Sequence, residues 1–298
     1  MSYARHPRYW EEETRSFVFA VQDTIYRFPV ALLTMLSPPL SGIFSIPPPP
    51  PNQKAGPPEG TEENPVVIPG VTKKQVDDFL SYFLKAELPL APIETLDPKR
   101  QEEVAHNLLT VGSLWEVQPA RESGIKLFES LNLGPIRILG LAREFGLHEW
   151  IEKAVLQLIP MVGKLTVDDA LALGALTLSI LVQAQHQIQL ERANIAYTAP
   201  TLRPRIQVPL GDCVDHKLCV RSVDQNWWLV VGRKILHPER PIELRDITTL
   251  LETTPFPGMS VRCQEHMVRG WKQNWIDEDS IKAAAVKGVT EFFRCLRM

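Results

Sequence analysis

The stretch of residues 17–44 constrains the fold of this chain more than any other part of its sequence. Phe17, Phe19 and Val21 recur at every second position, and after the polar pair Gln22-Asp23 residues 25–28 repeat an extended, β-prone pattern. Two such runs joined by two polar residues are typical of a β-hairpin. We therefore expect a small sheet near the N-terminus. Residues 1–16, which are polar and charged, are expected to form a flexible arm before it.

A short helix should follow the hairpin. Pro29 suits the first position of a helix, because its missing N–H would have no partner there. Leu32, Leu33 and Leu36 then form a short apolar stripe at helical spacing. Ser37-Pro38 ends this helix, since the residue before a proline is disfavoured in the α conformation. A second short turn of helix is expected after this break.

Prolines interrupt the chain after this second turn. Residues 46–58 contain five consecutive prolines, at positions 47–51. Such a run favours polyproline II and cannot join the hydrogen-bonded ladder of a sheet. We expect an insertion at the surface between core elements. The alternative is a ligand for a proline-reading module.

Helices should make up most of the remaining first half. A short buried strand is predicted at residues 66–68, closed by Pro69-Gly70. Thr72 and Gln75 form a capping box, in which each side chain satisfies a backbone N–H of the other residue. The box opens a helix over residues 76–84 with one apolar face, and two further helices are expected before residue 132.

The second half is expected to be helical as well. A pair of helices is predicted over residues 135–159, with a glycine at the end of the first. Thr166 caps a long helix that should reach about Asn194, packed on both sides in its early half and exposed in its late half. Residues 200–209 form a break. The unit after it contains four aromatic anchors, Trp227, Trp228, Trp271 and Trp275, and a final helix.

The order of hairpin, short helix, Ser-Pro break and second short helix resembles the start of a BTB/POZ domain, in particular that of the large fungal group of BTB proteins. Three further segments are similar to this group: EGTEENPVVIPGV at residues 59–71, TVGSLW at 110–115, and ILGLAREFGL at 138–147, which is followed by Trp150. Many BTB domains carry a histidine near the start of the first helix, where this chain has Phe28-Pro29.

The resemblance implies an α+β fold and a division of the chain. The expected parts are a BTB/POZ domain over residues 17–132 with the proline-rich insertion at 46–58, a helical extension over 133–195, a linker over 196–209, and a small tryptophan-rich helical unit over 210–298.

Composition excludes several classes of function. A net charge of -3 gives no electrostatic case for a nucleic-acid partner, which would need a basic patch. The N-terminus lacks the apolar core of a signal peptide, and the longest apolar run, residues 170–182, is shorter than the ~20 residues that span a bilayer. Four cysteines in 298 residues do not make a disulfide scaffold. We expect a cytoplasmic or nuclear protein without a membrane segment.

Cysteine and histidine occur together in two short segments of the last unit. Cys213, His216 and Cys219 follow one another at intervals of three, and Cys263 and His266 repeat that interval. Thiolate and imidazole are ligands that Zn²⁺ prefers, and structural sites take four of them. We predict a structural zinc site of Cys213, Cys219, Cys263 and His266, with His216 as the alternative fourth ligand. The other interpretation is a set of reduced thiols beside surface histidines, because the spacing is not that of a standard zinc finger.

The resemblance also carries an expected function. The chain has no glycine-rich phosphate loop, Gly-x-Ser-x-Gly elbow or His-Glu-x-x-His motif, so we expect an interaction protein and no enzyme. BTB domains commonly form homodimers, here with Leu32, Leu33 and Leu36 at the interface, and can recruit a cullin ubiquitin ligase as substrate adaptors. The alternatives are a BTB-type transcriptional regulator and an enzyme whose pocket the sequence does not reveal.

Overall fold

The computed structural model describes residues 4–10, 16–30, 37–44, 57, 59–84, 95–200, 213, 215–238, 240–273 and 278–296. The chain divides into two compact units, Met1–Leu133 and Gly134–Met298. Helices predominate, and a single small sheet of the described residues lies in the first unit, so the fold is of the broad α+β class. The predicted helix with Leu32, Leu33 and Leu36 lies outside the described residues, as does most of the proline-rich insertion.

Four strands form the sheet of the first unit. They are β1 (Ala4–Trp10), β2 (Ser16–Val21), β3 (Thr24–Pro29) and β4 (Val66–Val67), arranged in the order β1-β3-β2-β4. The predicted hairpin is confirmed: β2 and β3 pair antiparallel with Val21 opposite Thr24. Gln22 turns the chain between them with a φ of 56°. The short strand β4 pairs parallel to β2.

The expectation of a flexible arm over residues 1–16 is wrong for residues 4–10. These residues form β1, which pairs parallel to β3 and gives the hairpin a neighbour on its outer side. An unpaired β3 would expose a row of backbone donors and acceptors. Pro7 is tolerated in β1 because this strand lies at the edge of the sheet, and the pairing shifts register between Arg5 and Trp10. Arg5 also donates from Nε to Oε1 of Glu62 at 2.7 Å.

Four described helices complete the first unit: α1 (Pro38–Phe44), α2 (Lys73–Leu84), α3 (Pro98–Leu114) and α4 (Gln118–Ser130). The capping box before α2 is confirmed, since Gln75 Oε1 accepts from the Thr72 N–H at 2.8 Å and Thr72 Oγ1 from the Gln75 N–H at 3.3 Å. Asp97 caps α3 by accepting from two backbone N–H groups.

Aromatic rings fill the space between the hairpin and these helices. Phe19 of β2 stacks on Tyr26 of β3 with ring centroids 5.2 Å apart. Trp115, at the end of α3, meets the ring of Phe19 edge-on at 5.7 Å and that of Phe79 from α2 at 5.2 Å. Such edge-to-face pairs stabilise a core beyond their area alone. The core therefore joins the sheet to α2 and α3.

The second unit contains two hydrophobic cores. The first is built by α5 (Pro135–Phe145), α6 (His148–Leu158), a 3-10 turn (Ile159–Lys164), α7 (Val167–Leu173), α8 (Ala175–Tyr197) and α13 (Glu278–Cys295). The predicted pair over 135–159 is confirmed: Gly146 ends α5 with a φ of 73°, and the predicted apolar face of α6 is buried.

The single long helix predicted from Thr166 to Asn194 is wrong. Gly174 has a φ of 77°, a conformation open to glycine and unfavourable for other residues. It separates α7 from α8, and the two helices meet at 109°. The predicted packing also differs, because Val167 and Leu171 of the early half are exposed. The late half is not wholly exposed either, because a buried stripe at helical spacing runs along α8: Leu181, Ala184, Ile188, Arg192 and Ala196.

The second core lies in residues 213–273. It contains α9 (His216–Trp227), a π-helical turn (Trp228–Gly232), α10 (Arg233–Ile235), a 3-10 turn (Leu244–Asp246), α11 (Ile247–Thr253) and α12 (Val261–Gln273). Trp227 and Trp271 lie in it with ring centroids 5.6 Å apart. Trp228 is half-exposed against Tyr197, and Trp275 lies outside the described residues.

The final helix does not pack where it was expected. The sequence predicts this helix, α13, as part of the tryptophan-rich unit over residues 210–298, but its buried residues Ile281, Ala285, Val289 and Phe293 belong to the core with α6 and α8. The apolar stripe of α13 is complementary to the buried stripe of α8. The prediction of an exposed late half for the helix that begins at Thr166 did not include this contact.

Within the described residues, no single helix has the length and apolar character to cross a membrane. The bent pair of α7 and α8 meets that criterion of length and composition when its two helices are counted together.

Candidate metal centre

The two Cys/His segments of the sequence meet at the beginnings of two helices. Asp215 caps α9, since its Oδ1 accepts from the N–H groups of Lys217 at 2.9 Å and Leu218 at 3.4 Å. This cap places His216 at the first position of α9 and Cys219 one turn later. Cys213 lies just before the helix.

The third cysteine comes from the start of α12. Ser260 precedes this helix, and its Oγ accepts from the Cys263 N–H at 3.4 Å, the bond made by an N-cap serine. Cys263 is therefore held in the first turn of α12. Both helix beginnings present the partial positive charge of their N-termini to the same sulfur atoms, which favours thiolates.

The distances between the ligand atoms are short. Sγ of Cys213 lies 3.6 Å from Sγ of Cys219 and 3.5 Å from Sγ of Cys263. Sγ of Cys263 also lies 3.5 Å from Nδ1 of His216. The ligand atoms of Cys213, His216 and Cys263 all lie within 4.8 Å of one another. These three residues form a Cys-His-Cys arrangement that could hold a metal ion.

Burial and hydrogen bonding shift the pKa values of the Cys263 and Cys219 thiols in opposite directions. Cys219 and Cys263 are buried and Cys213 is half-buried. Burial raises the pKa of the Cys263 thiol to about 11. Burial also works against the thiolate of Cys219, yet the Ser260 N–H at 3.5 Å and the neighbouring thiols outweigh it, so the pKa of Cys219 is lowered. Of these two thiols, Cys219 is therefore the one that more readily carries a negative charge.

The structure separates the two histidines that were candidates for the fourth position. His216 contacts Cys263, whereas His266 is not part of any close group of metal-ligating atoms among the described residues. His266 lies three residues after Cys263 on α12, about 4.5 Å further along the helix axis. The cysteine cluster lies at the beginning of α12, so the histidine beside it is His216. The prediction of His266 as the ligand and His216 as its alternative is therefore reversed. Cys295 is exposed on α13.

Two residues of the site were not anticipated. Ser260 contacts both Cys219 and Cys263, and Asp215 sets the beginning of α9. Each stands before a stretch of helical periodicity, which is where capping residues are preferred. That position was the available signal in the sequence.

The predicted dimer interface cannot be placed in the same way. Leu32, Leu33 and Leu36 lie outside the described residues, so this interface stays a prediction.

The chain was compared with known proteins. No family model matches it, and neither a curated protein nor a solved structure matches it significantly.

Proposed function

We propose that the chain is a non-catalytic protein-interaction module of the BTB/POZ type that pairs with a second copy of itself. The observation that supports this most is the order of elements in the first unit. A hairpin is followed by a strand, β4, that returns parallel to β2, and then by helices α2, α3 and α4. Two of the segments that resemble fungal BTB proteins, residues 59–71 and 110–115, lie in or beside these elements.

The segment at residues 59–71 is held against β2 at Gly60. Gly60 adopts a φ of 82° and its carbonyl accepts from the Val18 N–H at 2.8 Å. A side chain at this position would collide with the ring of Phe17, since a Cβ built there lies 2.2 Å from it. The hydrogen bond holds the segment against β2 before β4 begins. The positive φ of Gly60 and the nearby ring of Phe17 account for the glycine in the motif.

The first proposed partner is a second copy of the chain. A two-fold interface places the same patch of both copies in contact, and an apolar stripe of Leu32, Leu33 and Leu36 suits such a patch. The second proposed partner is a cullin scaffold, in a substrate-adaptor complex of the cytoplasm or nucleus. The helix pair α5 and α6, which resembles the extension used by other adaptors, would contribute to that contact.

Direct binding to a purified cullin tests the adaptor proposal. Glu152 and Lys153 are exposed on α6, so reversing both charges changes that surface without disturbing the core. We expect the full chain to bind and the double variant Glu152→Lys, Lys153→Glu to lose affinity. Glu265→Lys, at an exposed position of α12, is the matched control and should bind normally. Equal binding by all three proteins would refute a role for α6.

Affinity purification with mass spectrometry tests the class of function. Enrichment of a cullin supports the adaptor. Enrichment of corepressors would favour a BTB-type transcriptional regulator, and enrichment of metabolic proteins would favour an enzyme. An enzyme would need a polar pocket, and one described groove, of about 610 Å³ between α11 and α12, includes Glu252, Glu265 and Arg269 in its wall.

We also propose that the Cys-His-Cys arrangement holds a structural Zn²⁺. Sulfur and imidazole donors at these distances are typical of zinc, and a site filled by four protein ligands leaves no position for a catalytic water. Metal analysis of the purified full chain should find one zinc per chain, and the variant Cys263→Ser should lose it. A wild-type protein without zinc would exclude this role.

A further inference from the structure

We infer that the zinc site is a closed Cys₃His centre of Cys213, His216, Cys219 and Cys263, and that it clamps the beginnings of α9 and α12 together. The inference rests on the proposal that the cluster binds zinc and goes further by naming the fourth ligand and the mechanical role. It does not depend on the proposed partners.

The observed distances match the edges of a zinc tetrahedron. With Zn–S of about 2.3 Å and Zn–N of about 2.0–2.1 Å, tetrahedral geometry puts two sulfurs about 3.8 Å apart and a sulfur and a nitrogen about 3.5 Å apart. Sγ of Cys213 lies 3.6 Å from Sγ of Cys219 and 3.5 Å from Sγ of Cys263, and Sγ of Cys263 lies 3.5 Å from Nδ1 of His216. One ion can therefore lie between the ligand atoms of Cys213, His216 and Cys263, with Cys219 in contact with the first of them.

Cys219 is the fourth ligand because of its position beside Cys213. Its sulfur already contacts Sγ of Cys213, the atom shared by two of the observed edges. Neither Cys219 nor His266 belongs to the close group of Cys213, His216 and Cys263, but Cys219 contacts a member of it whereas His266 lies one turn further along α12. A rotation about the Cys219 side chain is a smaller change than bringing His266 back to the beginning of its helix.

The charge of such a centre is balanced by its surroundings. Three thiolates, a neutral imidazole and Zn²⁺ carry a net charge of −1. The N-termini of α9 and α12 each supply about half a positive charge at this point. The Ser260 N–H, directed at Sγ of Cys219, adds a hydrogen bond from outside the ligand shell of the kind that orients metal ligands.

The clamp joins parts of the chain that are distant in sequence. Cys213 and Cys263 are 50 residues apart, and His216 and Cys263 are 47 apart. The intervening residues form the core of Trp227, Val231, Ile247 and Leu251. Closing a loop of this length costs chain entropy, and a bound ion that holds its ends offsets that cost. Zinc should therefore order the whole segment 213–273.

X-ray absorption on the zinc-loaded full chain tests the ligand set without any substitution. We expect three sulfurs at about 2.3 Å and one nitrogen at about 2.0–2.1 Å. Two sulfurs with two nitrogens would overturn the inference while leaving zinc binding intact. A protein without zinc, with the thiols reduced or joined as disulfides, would overturn both the inference and the zinc proposal. Neither result bears on partner binding, which is measured separately.

Matched variants test the same assignment by metal content. We expect His216→Ala and Cys219→Ser to lose bound zinc, and their controls His266→Ala and Cys295→Ser to keep one zinc per chain. Where a ligand variant unfolds, the X-ray absorption result on the unsubstituted chain decides the ligand set. Loss of zinc in His266→Ala together with retention in His216→Ala would overturn the assignment.

Discussion

Glu278, the first residue of α13, accepts two hydrogen bonds from Nη2 of Arg192 on α8, at 3.1 Å and 3.2 Å. Each side chain is only 10% exposed, and the residues are 86 positions apart in sequence. Lys282, one turn further along α13, lies 3.5 Å from the same carboxylate. The ion pair therefore fastens the beginning of the final helix to α8, next to the apolar stripes through which the two helices pack.

Removing one partner of this pair should destabilise the protein strongly. Glu278→Ala leaves the Arg192 guanidinium buried without its carboxylate, and breaking a buried pair in this way costs about 3 kcal/mol. Chemical denaturation monitored by circular dichroism measures the loss. The exposed pair of Lys287 and Glu291, on the same helix, provides the control, because Glu291→Ala should change stability by less than about 1 kcal/mol.

A double variant distinguishes the buried charge from the lost packing. Arg192→Met with Glu278→Leu removes both charges and retains apolar volume, so it should recover much of the stability that Glu278→Ala loses. A double variant as unstable as the single one would contradict this explanation.

The capping box at the beginning of α7 should make stability depend on pH. Asp169 accepts from the Thr166 N–H at 2.9 Å and donates its own N–H to Thr166 Oγ1 at 3.2 Å. The backbone and side-chain bonds with Thr166 lower the pKa of Asp169 below its ordinary value of 3.8. A depressed carboxyl pKa stabilises the folded state above the ordinary value, and that contribution disappears as pH falls through the lowered pKa.

Thermal unfolding of Asp169→Ala and wild type at a series of pH values checks this dependence. The gap between their midpoints should be constant from about pH 7 to about pH 5 and should narrow at more acidic pH. In a Thr166→Ala background the same substitution should show a smaller pH-dependent effect, because the side-chain bond from Thr166 is absent while the backbone N–H at this position still donates to Asp169. A gap that widens in acid would contradict the assignment.

Removal of zinc should lower the stability of the segment 213–273. A ligand that binds only the folded state at about 100 times its dissociation constant adds about 2.7 kcal/mol to stability. A strong chelator should therefore lower the thermal midpoint and change the fluorescence of buried Trp227, which lies in the same core as Cys219. Cys219→Ser should respond little to the chelator, whereas a wild type that is insensitive to it would argue against the clamp.

Features that depend on neighbouring residues in sequence could be predicted well. The hairpin follows from alternation on both sides of Gln22-Asp23, and the box of Thr72 and Gln75 from a spacing of three residues. The end of α5 follows from Gly146. In each case the physical cause lies within a few residues, so the pattern in the sequence is enough.

Features that depend on tertiary contacts could not be predicted in this way. Strand β1 has no strong local signal and forms because β3 offers it an edge. The bend at Gly174 interrupts an apolar run that continues through it, so periodicity alone conceals it. Which of the two histidines lies beside the cysteine cluster depends on which turns of α9 and α12 meet. The spacing cannot decide it, since His216 and His266 each stand three residues from a cysteine.

Variants of the proposed dimer interface should separate self-association from folding. Replacing Leu32, Leu33 and Leu36 together with glutamate puts charge on the predicted shared patch, where it would face the same charges in the other copy. We expect a folded monomer by circular dichroism and sedimentation. Leu218→Glu, at an exposed apolar position of α9, is the control and should sediment as the wild type does.

Sedimentation equilibrium of the unmodified full chain is the most direct test of the central claim, that this is an interaction module that pairs with itself. At micromolar concentration we expect the mass of two 33.7 kDa chains, with dissociation on dilution. A single 33.7 kDa chain throughout the micromolar range would contradict the claim.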